Sequence, residues 1–160
     1  MRKRPVKLLM ALGVIIMTLF LSTCFLFDSI SGDWEGTITV DGEDQNFEFT
    51  LDKSGKTITG EITKVDDYYD SVGGAGDIEF DVPSDVQGTV DGSNVEISYS
   101  LVTGYQAVGG WVTITVEGTL DGTVESGKMS GNVDFSIEYV LGGDVVATGS
   151  DSGDFEATKN

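Results

Sequence analysis

Alternation of apolar and polar residues dominates the chain after residue 31, and it constrains the fold more than any other feature. Val112, Ile114 and Val116, for example, are separated by Thr113 and Thr115. Successive side chains of a β-strand point to opposite faces, so a period of two predicts strands with one buried and one solvated face. The segments with this pattern are 34–40, 47–51, 58–63, 95–101, 112–120 and 129–139.

Short turn signals separate these segments and predict that strands adjacent in sequence pair antiparallel. The signals are Asp41-Gly42, Ser54-Gly55, Asp91-Gly92, Asp121-Gly122 and Gly142-Gly143. Five mid-strand glycines share the apolar parity, which favours a strongly coiled sheet that closes on itself. These glycines are Gly36, Gly60, Gly88, Gly118 and Gly131.

The expected fold is all-β, an antiparallel up-and-down barrel of about eight strands, with a β-sandwich as the alternative. Segments 78–90 and 145–157 each predict either one strand or two, so nine or ten strands are also compatible with the pattern. No helix is predicted after residue 27. The polar outer parity excludes an outer-membrane barrel, whose exterior is apolar.

The first 23 residues have the layout of a bacterial export signal. Four basic residues, Arg2, Lys3, Arg4 and Lys7, precede an uncharged apolar run over 8–21. We expect a signal peptide over 1–23, a short tether over 24–31 and a barrel domain over 32–160. An uncleaved anchor over 8–27 and simple secretion are the alternatives. All three place the domain outside the cytoplasm, in the cell envelope or at the cell surface.

The sequence Leu21-Ser22-Thr23-Cys24 resembles the lipobox of bacterial lipoproteins, in which the cysteine receives the lipid, although the family usually has a smaller residue than Thr23 at that position. Cys24 is the only cysteine, so an intramolecular disulfide is impossible. The resemblance implies lipidation of Cys24 and a membrane attached through that lipid as a partner.

Gly32-Asp33-Trp34 resembles the G-x-W signature on the first strand of lipocalins and their relatives in the calycin group. The resemblance implies that Trp34 closes one barrel end as a packing residue. Lipocalins usually place an arginine over this tryptophan, whereas residues 24–160 contain none. The resemblance is therefore to a lipocalin-like barrel and not to the lipocalin family proper.

Composition excludes several functions. Four of the nine basic residues precede residue 8 and all 27 acids follow it, so nucleic acid is not an expected partner. The chain has no histidine, which excludes the common Ser-His and Cys-His catalytic arrangements and histidine-held zinc or haem. We therefore expect that the protein is not an enzyme and that it has neither a cofactor nor a metal site. The acidic segments 41–44 and 66–70 are compatible with one ion, calcium, but we favour interpreting them as solvated loops.

Two long connections are predicted, 66–77 and 102–110, and long loops on a rigid scaffold often bind partners. In an eight-stranded meander both emerge at one end, where Tyr68, Tyr69, Tyr105 and Trp111 are candidate ligand-rim residues. The favoured hypothesis is a barrel that binds a small apolar or amphipathic ligand. The alternative is an envelope protein-interaction module, such as an inhibitor, adhesin or assembly factor, with a filled core.

Overall fold

The computed structural model describes residues 30–66, 68–70 and 76–160, and these residues form ten β-strands. The strands are β1 (Gly32–Val40), β2 (Glu43–Ser54), β3 (Thr57–Val65), β4 (Tyr68–Asp70), β5 (Gly76–Ile78), β6 (Ser84–Asp91), β7 (Asn94–Ala107), β8 (Gly110–Glu125), β9 (Lys128–Leu141) and β10 (Asp144–Lys159). Within this part of the chain no helix has the length and apolar character needed to cross a membrane. The predicted signal peptide and Cys24 lie outside it.

Eight of the described strands close into one antiparallel barrel in the order β1-β10-β9-β8-β7-β6-β3-β2. β4 and β5 form a separate two-stranded hairpin inserted between β3 and β6. Segment 78–90 is therefore split between β5 and β6, whereas segment 145–157 lies within the single strand β10. The prediction of an all-β, eight-stranded antiparallel barrel is confirmed, and the sandwich alternative is wrong.

The apolar parity of each strand points into the barrel. Val112 and Ile114 are buried, for example, whereas Thr113 and Thr115 are not. The main core holds eighteen buried residues of the described chain, which are Ile30, Trp34, Phe47, Phe49, Leu51, Ile58, Ile62, Val86, Val90, Val95, Ile97, Leu101, Leu120, Val124, Met129, Val133, Phe155 and Ala157. Burial of this apolar surface is the main stabilising contribution to the fold.

Two-residue turns join most neighbouring strands. Asp41 and Gly42 both have positive φ, 52° and 83°, as a type I′ hairpin turn requires. The predicted turn at Asp121-Gly122 is wrong, because β8 runs through it and turns at Ser126-Gly127 instead. Gly122 serves a different purpose, since a Cβ there would collide with the carbonyl oxygen of Ser130 on β9.

The barrel has two different ends. At the closed end lie the β2–β3, β6–β7 and β8–β9 turns and the entry of the chain at Ile30. At the open end lie the β1–β2, β7–β8 and β9–β10 turns and the β4–β5 hairpin. The strands are unequal in length, so β7–β10 continue past the barrel at the open end as a four-stranded extension over residues 102–115 and 138–148.

The extension corrects the expectation of a long loop over 102–110. β7 continues to Ala107 and β8 begins at Gly110, which leaves only residues 108 and 109 between them. Gly104 allows this, because the indole of Trp111 occupies the space that a Cβ at Gly104 would fill. Segment 66–77 contains the short β4–β5 hairpin, in which Tyr68 pairs with Ile78.

Candidate binding surface at the open end of the barrel

The closed half of the barrel is filled by packed side chains. Trp34 is 1% exposed and its Nε1 donates a hydrogen bond of 2.9 Å to the carbonyl oxygen of Ile30. Its ring stacks on Phe49 at 6.1 Å between centroids, and Phe49 stacks on Phe47 at 5.2 Å. Trp34 therefore joins the entering chain to the core at this end.

The space left inside the described barrel is small. One interior pocket has a volume of about 50 Å³ and is lined by Ile38, Gln45, Phe47, Phe49, Ile62, Val65, Val86, Ile97, Tyr99, Leu101 and Leu120. Pockets that hold drug-sized ligands have volumes of roughly 300–1,000 Å³. In this conformation the interior is a filled core with room for only a small chemical group.

Tyr99 is the inward-facing polar side chain at the centre of this core. Burial raises the pKa of its phenol to about 12, because desolvation disfavours the charged phenolate. Its ring lies against Gly118 of β8, its partner in the strand register. The interior therefore presents a neutral phenol, the Gln45 side chain and apolar groups to anything that enters it.

Exposed apolar side chains gather at the opposite end from Trp34. Six large hydrophobic residues are exposed in the described chain, and all six lie at the open end: Val82, Val102, Val108, Trp111, Val145 and Val146. Scattered exposed apolar residues are ordinary, whereas a group confined to one region marks an interaction surface. We call this group the open-end patch.

The predicted rim aromatics do not share one face. Tyr105 pairs with Val112 on the inner face of the extension, whereas Trp111 pairs with Gln106 on the outer face. Trp111 remains 57% exposed although it covers Gly104. Tyr68 and Tyr69 lie on β4 of the separate hairpin, opposite Ile78 and Asp77.

The inner face of the extension carries a second apolar cluster. Val112 and Ile114 are buried at its centre. The half-buried residues packed against them are Phe80, Tyr105, Ala107, Val116, Ile137, Tyr139 and Leu141. This inner face is thus a sheet surface that is only partly covered.

Thr103 connects the extension to the segment between β5 and β6. It is the buried polar residue of the described core, and its Oγ1 donates a hydrogen bond of 2.5 Å to the carbonyl oxygen of Glu79. The backbone amide of Asp81 donates to the carbonyl oxygen of Val102 at 2.9 Å. Together these bonds hold residues 79–81 against β7.

Charge is distributed unevenly between the two ends. The closed end carries four lysines, Lys53, Lys56, Lys128 and Lys159, beside acids that include Asp33, Asp52, Asp91 and Glu125, and Lys56 contacts Asp91 at 2.8 Å. Acids at the open end are Asp41, Glu43, Asp44, Asp66, Glu79, Asp81, Glu138 and Asp144. The open end therefore has a negative potential that attracts cationic groups.

A shallow groove of about 920 Å³ crosses the outer face of β6–β10. Its carboxylates are Asp85, Glu117, Asp134 and Asp151, and most of its other lining groups are Ser, Thr and Gln side chains. No group of three potential metal ligands occurs in the described residues. The groove is an open, polar and acidic surface.

The patch includes residues that the sequence did not identify as site candidates. Val145 and Val146 are adjacent apolar residues, which breaks the alternation, and the register between β9 and β10 shifts between Val145 and Ala147. Two consecutive apolar residues at a strand end are the signal from which an exposed valine could have been inferred. Val108 lies in the turn and has no comparable signal.

Comparison with solved structures finds similarity to rhizavidin, with 14% identity over 84% of this chain and 88% of rhizavidin and a TM-score of 0.44. Apo short afifavidin is similar at 11% identity over 82% of this chain and 97% of that one, with a TM-score of 0.43. The complex of short afifavidin with biotin is similar at 10% identity over 81% and 89%, also with a TM-score of 0.43. No protein-family pattern and no curated protein matches the chain. The eight-stranded architecture rests on the strand pairing described above.

Proposed function

We propose that this chain is an exported, membrane-tethered binding protein whose open end recognises a polypeptide partner without catalysing a reaction on it. One observation carries the proposal: the exposed large apolar side chains of the described chain all belong to the open-end patch, while the interior retains only about 50 Å³. The surface for a partner is therefore outside the barrel.

The composition of the open end favours a polypeptide over a small molecule. Val108 is fully exposed in a turn, and Trp111 and Val146 are more than half exposed. Side chains spread over several strand ends form a broad surface, whereas small-molecule sites are concave and enclose most of the ligand. Aromatic and apolar groups with a charged rim are typical of protein interfaces.

Tethering through Cys24 is part of the proposal, and the polarity of the barrel supports it. The chain enters at Ile30, at the closed end, where four of the five lysines of residues 30–160 lie. Five residues lie between Cys24 and Ile30, and the six steps from one to the other span about 20 Å when fully extended. The closed end, where lysines offset part of the acidic charge, would face the anionic headgroups, and the more acidic open end would face away from the membrane.

Photo-crosslinking tests the proposed function. Benzoylphenylalanine is placed in the full chain at Val108 or Val146 of the open end, and at Ser93 or Glu125 of the closed end as matched exposed controls. After irradiation in its host, we expect polypeptide adducts from the open-end positions and none from the controls. The proposal is wrong if neither end gives adducts, or if both ends give the same ones.

A small apolar ligand in the interior is the second candidate function. The observation that favours it is the apolar lining of the 50 Å³ space, which includes Phe47, Phe49 and Tyr99. A ligand of ordinary size would require Phe47 or Tyr99 to move, because the present volume is well below the usual range. Native mass spectrometry of protein purified from its host would reveal a bound molecule of defined mass if this candidate is right.

A further inference from the structure

One edge of β10 lacks a strand partner among the described residues. β9 pairs with β10 along nearly its whole length, from Asp144 to Thr158. β1 pairs with β10 only from Asp154 to Lys159, because β1 ends at Val40. Residues 144–152 therefore present backbone amide and carbonyl groups with no described strand beside them. We call residues 144–152 the free edge.

The free edge is accessible and only partly protected against pairing. Every residue from Gly142 to Ser152 is exposed. The segment contains no lysine or proline, the residues that commonly prevent edge pairing. The register irregularity near Val145 shortens the regular run, and Asp151, which pairs with Phe135 on the same side as Gly149, accepts a hydrogen bond from the Ser152 amide at 2.8 Å. About six residues, 147–152, remain in regular strand geometry.

The inner side of the free edge has room for side chains of an added strand. A Cβ built on Gly149 would have no atom within 4 Å. Gly149 pairs with Ile137 and Ala147 pairs with Tyr139, and both of these β9 residues are half-buried in the second apolar cluster. Apolar side chains on an adjacent strand could therefore pack over Ala147 and Gly149 toward Ile137 and Tyr139.

The outer side of the free edge is acidic. Thr148 pairs with Glu138 and Ser152 pairs with Asp134, so these two short side chains each have a carboxylate beside them on β9, while Ser150 between them pairs with Ser136. A strand added to β10 would lie about 9.5 Å from β9. Lysine or arginine side chains on its outer face can reach across Thr148 and Ser152 to these carboxylates.

We infer that the free edge binds an extended polypeptide segment in which apolar and basic residues alternate, by strand addition to β10. The inference rests on the proposed function and specifies the partner of the open end. In strand addition, backbone hydrogen bonds provide affinity for an extended segment, and alternate side chains provide the specificity. A second copy is electrostatically disfavoured as the occupant, because antiparallel pairing of two free edges would gather Asp144 and Asp151 of both copies.

The test uses the full chain in non-ionic detergent micelles and a nine-residue peptide of alternating valine and lysine. Binding is followed by fluorescence anisotropy and by amide hydrogen exchange. We expect saturable binding and slowed exchange of alternate amides within residues 147–152. A peptide N-methylated on the amides that face β10 should lose binding, whereas methylation of the other set should be tolerated.

Matched variants separate strand addition from attraction by charge. Gly149→Leu places a side chain in the inner space, where the Cβ position is open, and should weaken binding about tenfold at an unchanged melting temperature. Glu138→Lys and Asp134→Lys should each weaken it about two- to fivefold. Glu61→Lys, an equal charge change at an exposed position of β3, is the control and should have little effect.

The outcomes separate failure of this inference from failure of the proposed function. Crosslinks at Val108 together with no peptide protection on β10 would overturn the strand-addition inference and leave the open-end function intact. Equal binding by the wild type and Gly149→Leu, or by both N-methylated peptides, would also overturn it. Reversible dimerisation that Gly149→Leu abolishes would identify a second copy as the occupant and would contradict the inference.

Discussion

The phenol ring of Tyr99 lies across Gly118, its register partner on the neighbouring strand, and a Cβ at residue 118 would overlap that ring. The pair fills the centre of the barrel with one large side chain where two would not fit. Barrels commonly combine an inward aromatic with a neighbouring glycine in this way.

Replacing Gly118 by alanine should destabilise the protein by about 1–3 kcal/mol, the usual cost of overpacking a filled core. Gly149→Ala is the matched control, because Gly149 is also a mid-strand glycine but has open space around its Cβ position. It should be neutral, or stabilising by up to about 1 kcal/mol through the unfolded chain. Urea denaturation measures both variants, and equal destabilisation would contradict the packing described for Tyr99.

Stability should fall at high pH because of Tyr99. The folded state keeps the phenol protonated up to a pKa of about 12, whereas the unfolded chain releases the proton near pH 10. The contribution of the protonated Tyr99 phenol to the free energy of unfolding is thus fully present below pH 10 and is lost between about pH 10 and 12. Tyr99→Phe should remove this part of the pH dependence. The difference between the unfolding free energies of the two proteins, measured from pH 8 to 12, checks it.

The two tryptophans should differ strongly in their contribution to stability. Trp34→Ala should cost about 3–5 kcal/mol, since the side chain is 1% exposed and stacked on Phe49. Trp111→Ala should cost about 1 kcal/mol or less, because more than half of that side chain is exposed. Denaturant unfolding gives the ranking, and the reverse order would contradict the face assignment of one of the two strands.

Thr103→Val should loosen the segment between β5 and β6 while preserving side-chain volume. The variant loses the hydrogen bond to Glu79, worth about 1 kcal/mol. Exchange of the Asp81 amide, which bonds to Val102, should accelerate about fivefold. Thr103→Ser keeps the hydroxyl and should leave this exchange rate near that of the wild type.

Lipidation predicts a defined mature N-terminus. Mass spectrometry of protein from the membrane fraction should find cleavage before Cys24 and acyl chains on that residue, since stable anchoring takes more than one chain. Cys24→Ala should release the protein from the membrane. An intact Met1 in the membrane fraction would instead support the uncleaved anchor over 8–27.

Strand faces and strand order could be predicted from the sequence because both follow from local pattern. The alternation around Ile114 predicts which residues are buried, and short turns predict which strands are neighbours. The length of β7 could not be predicted, since Gly104 and Gln106 interrupt the pattern and are typical of a loop. Strand structure persists there because Trp111 packs over Gly104 and Thr103 has a hydrogen-bond partner.

The candidate surface was less predictable because it depends on residues far apart in sequence. The free edge is exposed because β1 ends at Val40 and does not extend beside it. The length of β1 cannot be inferred from the sequence of segment 144–152. Tyr105 and Trp111 were grouped by their position near one predicted loop. Because both residues lie in a strand hairpin, where alternate positions face opposite sides, Tyr105 and Trp111 point to opposite faces of the sheet. The prediction of a loop carried no information about faces.

The seam between β1 and β10 also determines when the molecule can finish folding. Asn160 donates its side-chain amide to a carboxylate oxygen of Glu35 at 3.1 Å, across 125 positions of sequence. Contacts of such long range form slowly, because a large loop must be closed before they contribute. A chain synthesised from its N-terminus would form its sheet strand by strand, and β1 would lack this partner until β10 was complete. If synthesis stopped before β10, β1 and β9 would each have an unpaired strand edge, and the incomplete sheet would be prone to aggregation.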